Sequence, residues 1–513
     1  MINPDEKLQE LINAVQEISP HLANYWQATA IIESLGYTDR IIRAEFGFDN
    51  ARDLGQYVYE YLNNAPVSPK PTKKDDIWKT ISYQILTFIN EFSQSFVYAL
   101  PLIMMLAMEY LGIGEKKQVI SPELASLFTI VTMASLTTAG GFVQMISRRG
   151  LFYMTLGEIH QAQRVSTSLL SLGIITTIFL GFFGLWFGFY RSLFADNYII
   201  IAVFYYLLLS ILWMFLAVLS ILSRWSGPLV LIGLSVLFLF LRLQLGLGTL
   251  IAQIWAMFVG LLVVIGLVLF WFIKHKNTDT GSPVQLPRLS AVVYLMSPYF
   301  GYGLAYFSFI FADRIVAGLT INPASGLLFA IDLKYQKGMD LALLNFLILV
   351  PLVQYLGYIF ISYWYSKSKI LTVHNLAKFS SRLFFLYRLA IIMAIIFFGL
   401  SVFLTVGILR PDNWTQPEIM QALWGCLGYF FFVLGLFNGL ILFSLNQGFA
   451  IFRTLIIALL VNIVVGYTLA HTISVFFTVF GLIAGGFVFM ILSGKKVFKA
   501  LKKPDYAYYL GGY

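Results

Sequence analysis

Apolar residues fill most of the chain in long runs, each separated from the next by a few polar or charged positions. A helical run of about 20 apolar residues matches the roughly 30 Å hydrocarbon core of a membrane. The pattern therefore predicts an all-α polytopic membrane protein with about twelve spans, although two pairs of neighbouring runs could be divided to give eleven or thirteen. The predicted spans are 90–112, 122–146, 167–189, 197–222, 227–243, 250–273, 291–312, 341–363, 384–408, 421–444, 450–469 and 472–493.

The first 63 residues have a different, amphipathic pattern, which predicts several short helices. Gly36 is typical of a helix C-terminus, and Thr38 with Asp39 is typical of the start of the next helix. This segment carries 4 Lys and Arg against 10 Asp and Glu, whereas the remaining 450 residues carry 30 against 15. The contrast predicts a separate acidic helical unit that packs as a small bundle or docks on a partner. The apolar positions of its first helix are Leu8, Leu11, Ile12 and Val15.

The composition agrees with a protein whose surface faces lipid. Hydrophobic residues make up 59% of the chain and charged residues 12%, whereas soluble domains contain about 25% charged residues. The single cysteine, Cys426, excludes an intrachain disulfide and lies in an apolar run, which indicates a small buried side chain. We expect no cleavable signal peptide, because the N-terminal residues are polar and periodic.

Lys and Arg predict the topology, because they concentrate in cytoplasmic segments. With the N-terminus in the cytoplasm, the cytoplasmic segments carry 21 Lys and Arg against eight on the other side. We therefore expect both termini in the cytoplasm, and for a bacterial chain the inner membrane. A polar break at 274–290 divides the spans into six and six, a common transporter plan. The predicted organisation is an acidic cytoplasmic unit (1–63), a linker and juxtamembrane segment (64–82), a first six-helix lobe (83–274), an inter-lobe loop (275–290), a second six-helix lobe (291–493) and a basic cytoplasmic tail (494–513).

The seventh predicted span, "SPYFGYGLAYFSFIFADRIV" from Ser297, is rich in tyrosine and ends on an adjacent acid and base. At 3.6 residues per turn, its polar and aromatic positions fall on one stripe. Because a tyrosine hydroxyl in lipid lacks partners, the stripe should face protein or a wet cavity. The sharper hypothesis is a substrate cavity lined by aromatic rings, and the alternative is an aromatic belt at the membrane interface. The stripe consists of Tyr299, Tyr302, Tyr306, Phe309 and Asp313.

The connection predicted at 313–340 contains equal numbers of acids and bases in an apolar background. One interpretation is a short amphipathic segment at the outer surface with neutral pairing. The other is an outer gate whose ion pairs break when the cavity opens outward. Besides Asp313, the charged residues of this connection are Arg314, Asp332, Lys334, Lys337 and Asp340.

Of the further polar residues within or near the predicted spans, four are singled out as candidates for a transport pathway, because polar groups in lipid are costly. Near span ends, however, a charged side chain more commonly extends to the headgroups, and amides commonly bridge helices. These candidates are Glu91, Glu109, Arg242 and Asn345.

Several motifs of catalysis and ATP use do not occur in the sequence. It contains no P-loop, no HExxH or clustered His and Cys for zinc, and no GxSxG nucleophile motif. The longest segment predicted outside has about 27 residues and no DxD pair, which disfavours a membrane glycosyltransferase. We therefore expect no enzyme, no cofactor, no metal and no nucleic-acid partner, but transport without ATP hydrolysis by this chain.

Twelve spans in two sets of six, a basic tail and a tyrosine-rich seventh span resemble polysaccharide flippases of the multidrug/oligosaccharidyl-lipid/polysaccharide (MATE-like) superfamily. The stretches "YFSFIFADRIVAG" and "KYQKGMDLALLNFLILVP" are most similar to the Pel exopolysaccharide transporter (PelG) group. The resemblance covers about residues 80–500, and the acidic N-terminal unit departs from it. It implies two six-helix lobes around a central polar cavity, with Asp313, Arg314, Asp332 and Lys337 at the cavity or its outer gate.

Taken together, these features predict a transporter that moves an exopolysaccharide or lipid-linked oligosaccharide by alternating access. The expected partners are the glycan, membrane lipids and a cytoplasmic glycosyltransferase bound through residues 1–63. One alternative is a cation-coupled drug or metabolite antiporter of the same fold. Another is a membrane scaffold for a polysaccharide synthase that transports nothing itself.

Overall fold

The computed structural model describes most of the chain, and every regular element within it is helical. The described residues are 4–19, 22, 24–64, 77–97, 100, 122–155, 158–191, 194–223, 225–275, 288–320, 329–330, 332–368, 375–408 and 415–511. They form two compact units, of which the first is Met1–Leu86 with Tyr365–Leu376 and the second is Thr87–Trp364 with Ala377–Tyr513.

The N-terminal unit contains the predicted short helices, and they share a core. The helices are α1 (Pro4–Ile18), α2 (Tyr25–Ser34), α3 (Asp39–Glu45) and α4 (Ala51–Asn64). Helix α2 is followed by Gly36 in the left-handed region at φ 91°, and α3 starts at Asp39 after Thr38, both as predicted. The apolar face of α1 lies in a core with α2, α3 and α4, centred on Ile32, Ile42 and Leu54, which are fully buried.

The second unit consists of long helices. Eleven helices within the described residues are long and apolar enough to cross a membrane, which confirms a polytopic all-α fold. The first predicted span, 90–112, falls largely outside the described residues. Helix α5 (Ile77–Phe96) begins in the first unit and ends in the second. The helices that follow it are α6 (Pro122–Thr155), α7 (Ile159–Arg191), α8 (Asp196–Leu222), α9 (Ser226–Leu243), α10 (Thr249–His275), α11 (Leu289–Thr320), α12 (Leu333–Ser368), α13 (Leu376–Val402, continued by a π-helix at Phe403–Ile408), α14 (Gln416–Ser444), α15 (Gly448–Thr472), a 3₁₀ turn at Val475–Thr478, α16 (Val479–Lys502) and α17 (Pro504–Gly511).

The neighbours of these helices follow the division of the sequence into halves. In the first half α6, α7 and α8 pack together, and α10 packs on α8 and α9. In the second half α16 lies against α14 and α15, and α11 packs on α15. Helices α6 and α11 also pack closely on each other, so they form a seam between the two halves.

The two helices of the seam come into backbone contact where two glycines meet. A Cβ atom at Gly303 of α11 would lie 2.3 Å from the carbonyl oxygen of Gly140 in α6. The rings of Phe300 and Phe307 occupy the space beside Gly141 and Gly140 respectively. The two backbones therefore touch at this crossing, and aromatic rings of α11 fill the seam on both sides of it.

The predicted connection at 313–340 was wrong in its extent. Helix α11 continues to Thr320 and α12 begins at Leu333, so Asp313 and Arg314 lie inside one helix and Asp340 inside the next. Adjacent charges predict the end of a span because charged residues are costly in lipid. Here they are buried among protein groups, which removes that reason for the helix to end.

Candidate functional site

The aromatic stripe of α11 faces helix α14. Tyr299 stacks on Phe443 with ring centroids 5.3 Å apart, and Tyr302 meets the same ring edge to face at 4.8 Å. Further along, Tyr306 and Phe309 both contact Phe432. The predicted shared face is therefore present in the structure, and it is packed against protein.

Burial differs slightly along the stripe. Tyr299 and Tyr302 are 5% exposed, Phe309 is fully buried, and Tyr306 is partly buried. The ring of Tyr306 also contacts Phe307, which fills the seam beside Gly140. The stripe thus belongs to the second half and adjoins the seam at Tyr306. Its role in lining a substrate cavity stays a prediction.

The last residue of the stripe, Asp313, belongs to a buried polar cluster. Its Oδ2 accepts a hydrogen bond of 3.0 Å from the hydroxyl of Tyr335 in α12, while Oδ1 has no hydrogen-bond partner among the described residues. The next residue, Arg314, is 6% exposed and forms a salt bridge of 2.9 Å from Nη2 to Oδ1 of Asp340. The cluster therefore contains one fully buried carboxyl group, one buried guanidinium and one partly buried carboxyl group.

The other charges predicted for the gate have separate places at the start of α12. Asp332 is the residue before the helix, and its Oδ1 accepts hydrogen bonds from the backbone N–H groups of Lys334 and Tyr335 at 2.9 and 3.2 Å. It acts as a helix cap. Lys334 and Lys337 are exposed. The structure therefore brings Arg314 and Asp340 together as an ion pair, while a gating role for these residues stays a prediction.

A narrow crevice reaches this cluster from the seam. It is lined by Thr129 and Met133 of α6 on one side and by Arg314, Asp332 and Tyr335 on the other. Its volume of about 10 Å³ is room for a single water molecule. The buried polar cluster of the second half thus borders the first half.

The remaining candidates do not join this cluster. Glu91 is partly buried in α5, and Glu109 lies outside the described residues. Arg242, near the end of α9, donates a hydrogen bond of 2.9 Å to the carbonyl of Leu247, so it closes a turn. Asn345 is fully buried in α12, and neither polar atom of its side chain has a hydrogen-bond partner among the described residues. Within the described residues, no group of three or more potential metal ligands occurs.

Three residues of the cluster were missed in the sequence. Tyr335 binds Asp313, the side-chain amide of Gln421 donates to the carbonyl of Tyr335 at 3.0 Å, and the hydroxyl of Tyr429 donates to the carbonyl of Ile310 at 3.2 Å. Each partner lies 22 or more residues away in sequence. No local spacing could have indicated them.

The chain is similar to known proteins in its fold, and the similarity was found by comparing structures. No protein-family model matches the chain, and no curated protein matches it in sequence. Solved structures do match over most of the chain. A MOP superfamily transporter from Pyrococcus furiosus has 14% identity and a TM-score of 0.55, covering 81% of this chain and 96% of its own.

Two further structures agree. The eukaryotic MATE transporter AtDTX14 has 14% identity and a TM-score of 0.57, covering 85% of this chain and 100% of its own. A multidrug resistance MATE family transporter of the MOP superfamily, in an outward-facing conformation, has 15% identity and a TM-score of 0.56, covering 81% of this chain and 96% of its own. The chain therefore has a MATE-like fold.

Proposed function

We propose that this protein is a membrane transporter that works by alternating access between its two halves. The observation that supports this most is the MATE-like arrangement of the long apolar helices over more than 80% of the chain. The seam between α6 and α11 is the boundary across which the halves would move. We place the protein in the inner membrane of a bacterium with both termini in the cytoplasm, as the distribution of Lys and Arg indicates.

We propose a glycan as its substrate, in the form of an exopolysaccharide or a lipid-linked oligosaccharide. The resemblance of the seventh and eighth spans to polysaccharide transporters of the Pel group supports this class. The aromatic stripe also supports it, because tyrosine rings stack on sugar rings and their hydroxyls bond to sugar hydroxyls. In the structure these rings pack on Phe432 and Phe443, so sugar would reach Tyr302 and Tyr306 only after the helices separate.

The test is a lipid-flipping assay with the purified full chain in proteoliposomes. The probe is a polyprenyl diphosphate oligosaccharide with a fluorescent label on the sugar, bleached from outside by a reagent that does not cross the membrane. A flippase exposes nearly all of the label, whereas empty liposomes expose about half. Bleaching that stops at half, with the protein folded and inserted in both directions, would contradict this substrate class.

A cation-coupled drug or metabolite antiporter is the second candidate, and the cluster around Asp313 favours it. Asp313 is fully buried, and the salt bridge of Arg314 goes to Asp340 rather than to Asp313, so an ionised Asp313 would be a buried negative charge. An unpaired buried charge is costly, and binding a proton or a monovalent cation would neutralise it. The crevice beside this cluster has room for one water molecule or a small cation.

The two candidates are separated by their driving force. In the same proteoliposomes, an antiporter would use an imposed proton or sodium gradient to move ethidium in the direction opposite to the ion. Asp313→Asn would abolish that movement. A flippase would expose all of the labelled glycolipid to the bleaching reagent without any imposed ion gradient. Ethidium movement without glycolipid movement would favour the antiporter.

The N-terminal unit is proposed as the attachment site for a cytoplasmic glycosyltransferase. It has its own core, and it exposes Trp26, Tyr57 and Tyr61, the kind of side chains that interfaces favour. Deletion of residues 1–63 should leave lipid flipping in proteoliposomes intact and reduce export in cells. If this deletion abolished export while changes to the seam and stripe had no effect, the scaffold alternative would be favoured.

A further inference from the structure

Arg148 connects the two halves near the predicted cytoplasmic end of the seam. It lies two turns before the end of α6, and its Nη2 donates a hydrogen bond of 2.9 Å to the backbone carbonyl of Phe443 in α14. The same guanidinium lies over the ring of Tyr299 in α11, 5.4 Å from the centroid. Both contacts cross from the first half to the second.

The carbonyl that receives Arg148 belongs to a well-defined helix end. Asn446 follows α14 in the left-handed region at φ 56°. Its N–H donates to the carbonyl of Phe443 at 3.1 Å, and that of Gln447 donates to the carbonyl of Leu442 at 2.8 Å. This is the Schellman pattern that closes a helix. The last carbonyls of a helix carry the negative end of its dipole, so they favour a cation such as the guanidinium of Arg148.

Tyr299 fixes the same turn from the other side. Its hydroxyl donates a hydrogen bond of 3.1 Å to Oδ1 of Asn446, and its ring stacks on Phe443. Gly448 leaves room for the ring, since a Cβ atom there would lie 2.9 Å from Cζ of Tyr299. The guanidinium of Arg148 therefore contacts two groups that are fixed in place: the ring of Tyr299 and the carbonyl of Phe443. Both are held by contacts with the turn at Asn446.

The contacts of Arg148 lie at a distance from the point where the two helices cross, so a rocking motion of the halves would affect them. The backbones of the two helices meet at Gly140 and Gly303. Arg148 lies eight residues beyond Gly140, which is about 12 Å along a helix. Rocking of the halves about the glycine crossing would move Arg148 away from Phe443, because displacement grows with distance from a pivot.

We propose that Arg148 is a latch that holds the predicted cytoplasmic end of the seam closed, and that this end opens only when its contacts to Phe443 and Tyr299 break. The inference rests on the proposed alternating access. In this proposal Arg148 is a positioning residue, which shifts the equilibrium between the closed and open forms of the seam.

The neighbouring residue provides a matched control. Arg149 has the same side chain, but its Nη2 donates to the hydroxyl of Tyr153 on its own helix at 2.9 Å, and its guanidinium lies over the rings of Phe152 and Tyr153. Replacing Arg149 removes the same charge from the same end of α6. None of the contacts described for it crosses the seam.

The experiment measures distances across the seam by double electron–electron resonance in nanodiscs. Spin labels are placed on the full chain at Leu151 and Phe449, which are 48% and 50% exposed, in a Cys426→Ala background. Loss of one hydrogen bond to a charged group corresponds to a shift of about tenfold. Arg148→Gln should therefore raise the ratio of long to short distances about tenfold, whereas Arg149→Gln should leave it unchanged.

A second variant guards against misfolding of the first. Tyr299→Phe keeps the ring and loses the hydrogen bond to Asn446, so it should shift the distances in the same direction by a smaller factor. Distributions that superimpose on the parent in both Arg148→Gln and Tyr299→Phe would overturn the latch, as would an equal shift in Arg149→Gln. No substrate is needed, so failure of the glycolipid assay would leave this result standing.

Discussion

A methyl group at Gly303 should force the two halves apart, because the atom it meets belongs to the backbone. The added Cβ would lie 2.3 Å from the carbonyl oxygen and 2.7 Å from the carbonyl carbon of Gly140, and 2.9 Å from Cα of Gly141. Carbon atoms in ordinary contact are about 3.5 Å apart. Relief therefore needs a separation of about 1 Å between α6 and α11, since a helix backbone cannot rotate away as a side chain can.

The expected size of the effect comes from two opposing terms. Overpacking of this kind costs about 1–3 kcal/mol, while alanine is favoured over glycine in a helix by about 1 kcal/mol. Gly266→Ala in α10 isolates the second term, because a Cβ atom there would have no neighbour within 4 Å. The difference in unfolding free energy between Gly303→Ala and Gly266→Ala should therefore equal the overpacking term of about 1–3 kcal/mol.

The assay is thermal unfolding of the purified full chain in a single detergent, followed by tryptophan fluorescence. Gly266→Ala should unfold at or slightly above the temperature of the parent, and Gly303→Ala a few degrees below Gly266→Ala. Gly303→Val should lie lower still, because its side chain is larger. Equal transitions for the two alanine variants would refute a backbone contact at this crossing.

Three further predictions concern the cluster and the stripe. Arg314→Met alone should cost about 3 kcal/mol by removing the salt bridge to Asp340, and adding Asp340→Leu should restore part of that loss in the same unfolding assay; a double variant less stable than the single one would contradict a paired geometry. Tyr302→Phe with Tyr306→Phe should keep thermal stability and lower glycolipid flipping, whereas alanine at both sites should also destabilise the fold by about 3 kcal/mol or more; full flipping in the phenylalanine pair would remove the hydroxyls from the transport path. Asp313→Asn should leave glycolipid flipping unchanged if that process needs no coupling ion, and a loss of flipping in this folded variant would indicate coupling.

The existence of the helices could be predicted because lipid constrains the sequence so strongly. A spanning segment must satisfy its backbone internally and present an apolar surface, so each span leaves a visible run. The ends of the helices are less visible. The acid and base at 313–314 resemble the end of a span, yet Asp313 binds Tyr335 and Arg314 binds Asp340, which lie 22 and 26 residues further on. A charge that finds such a partner is not a helix end, and the partner leaves no mark nearby in the sequence.

The same reasoning explains which part of the site could be predicted. Helical spacing places Tyr299, Tyr302 and Phe309 on one face, as the structure confirms. It cannot say what that face meets, because the rings of α14 are more than 100 residues away.

The two arginines at the end of α6 show this limit most clearly. Both count equally as positive charge in the predicted topology, but consecutive residues point about 100° apart around a helix. That rotation alone directs Arg148 across the seam and leaves Arg149 on its own helix, so a pattern of charges predicts which side of the membrane they occupy, while only the packing decides which of them connects the two halves.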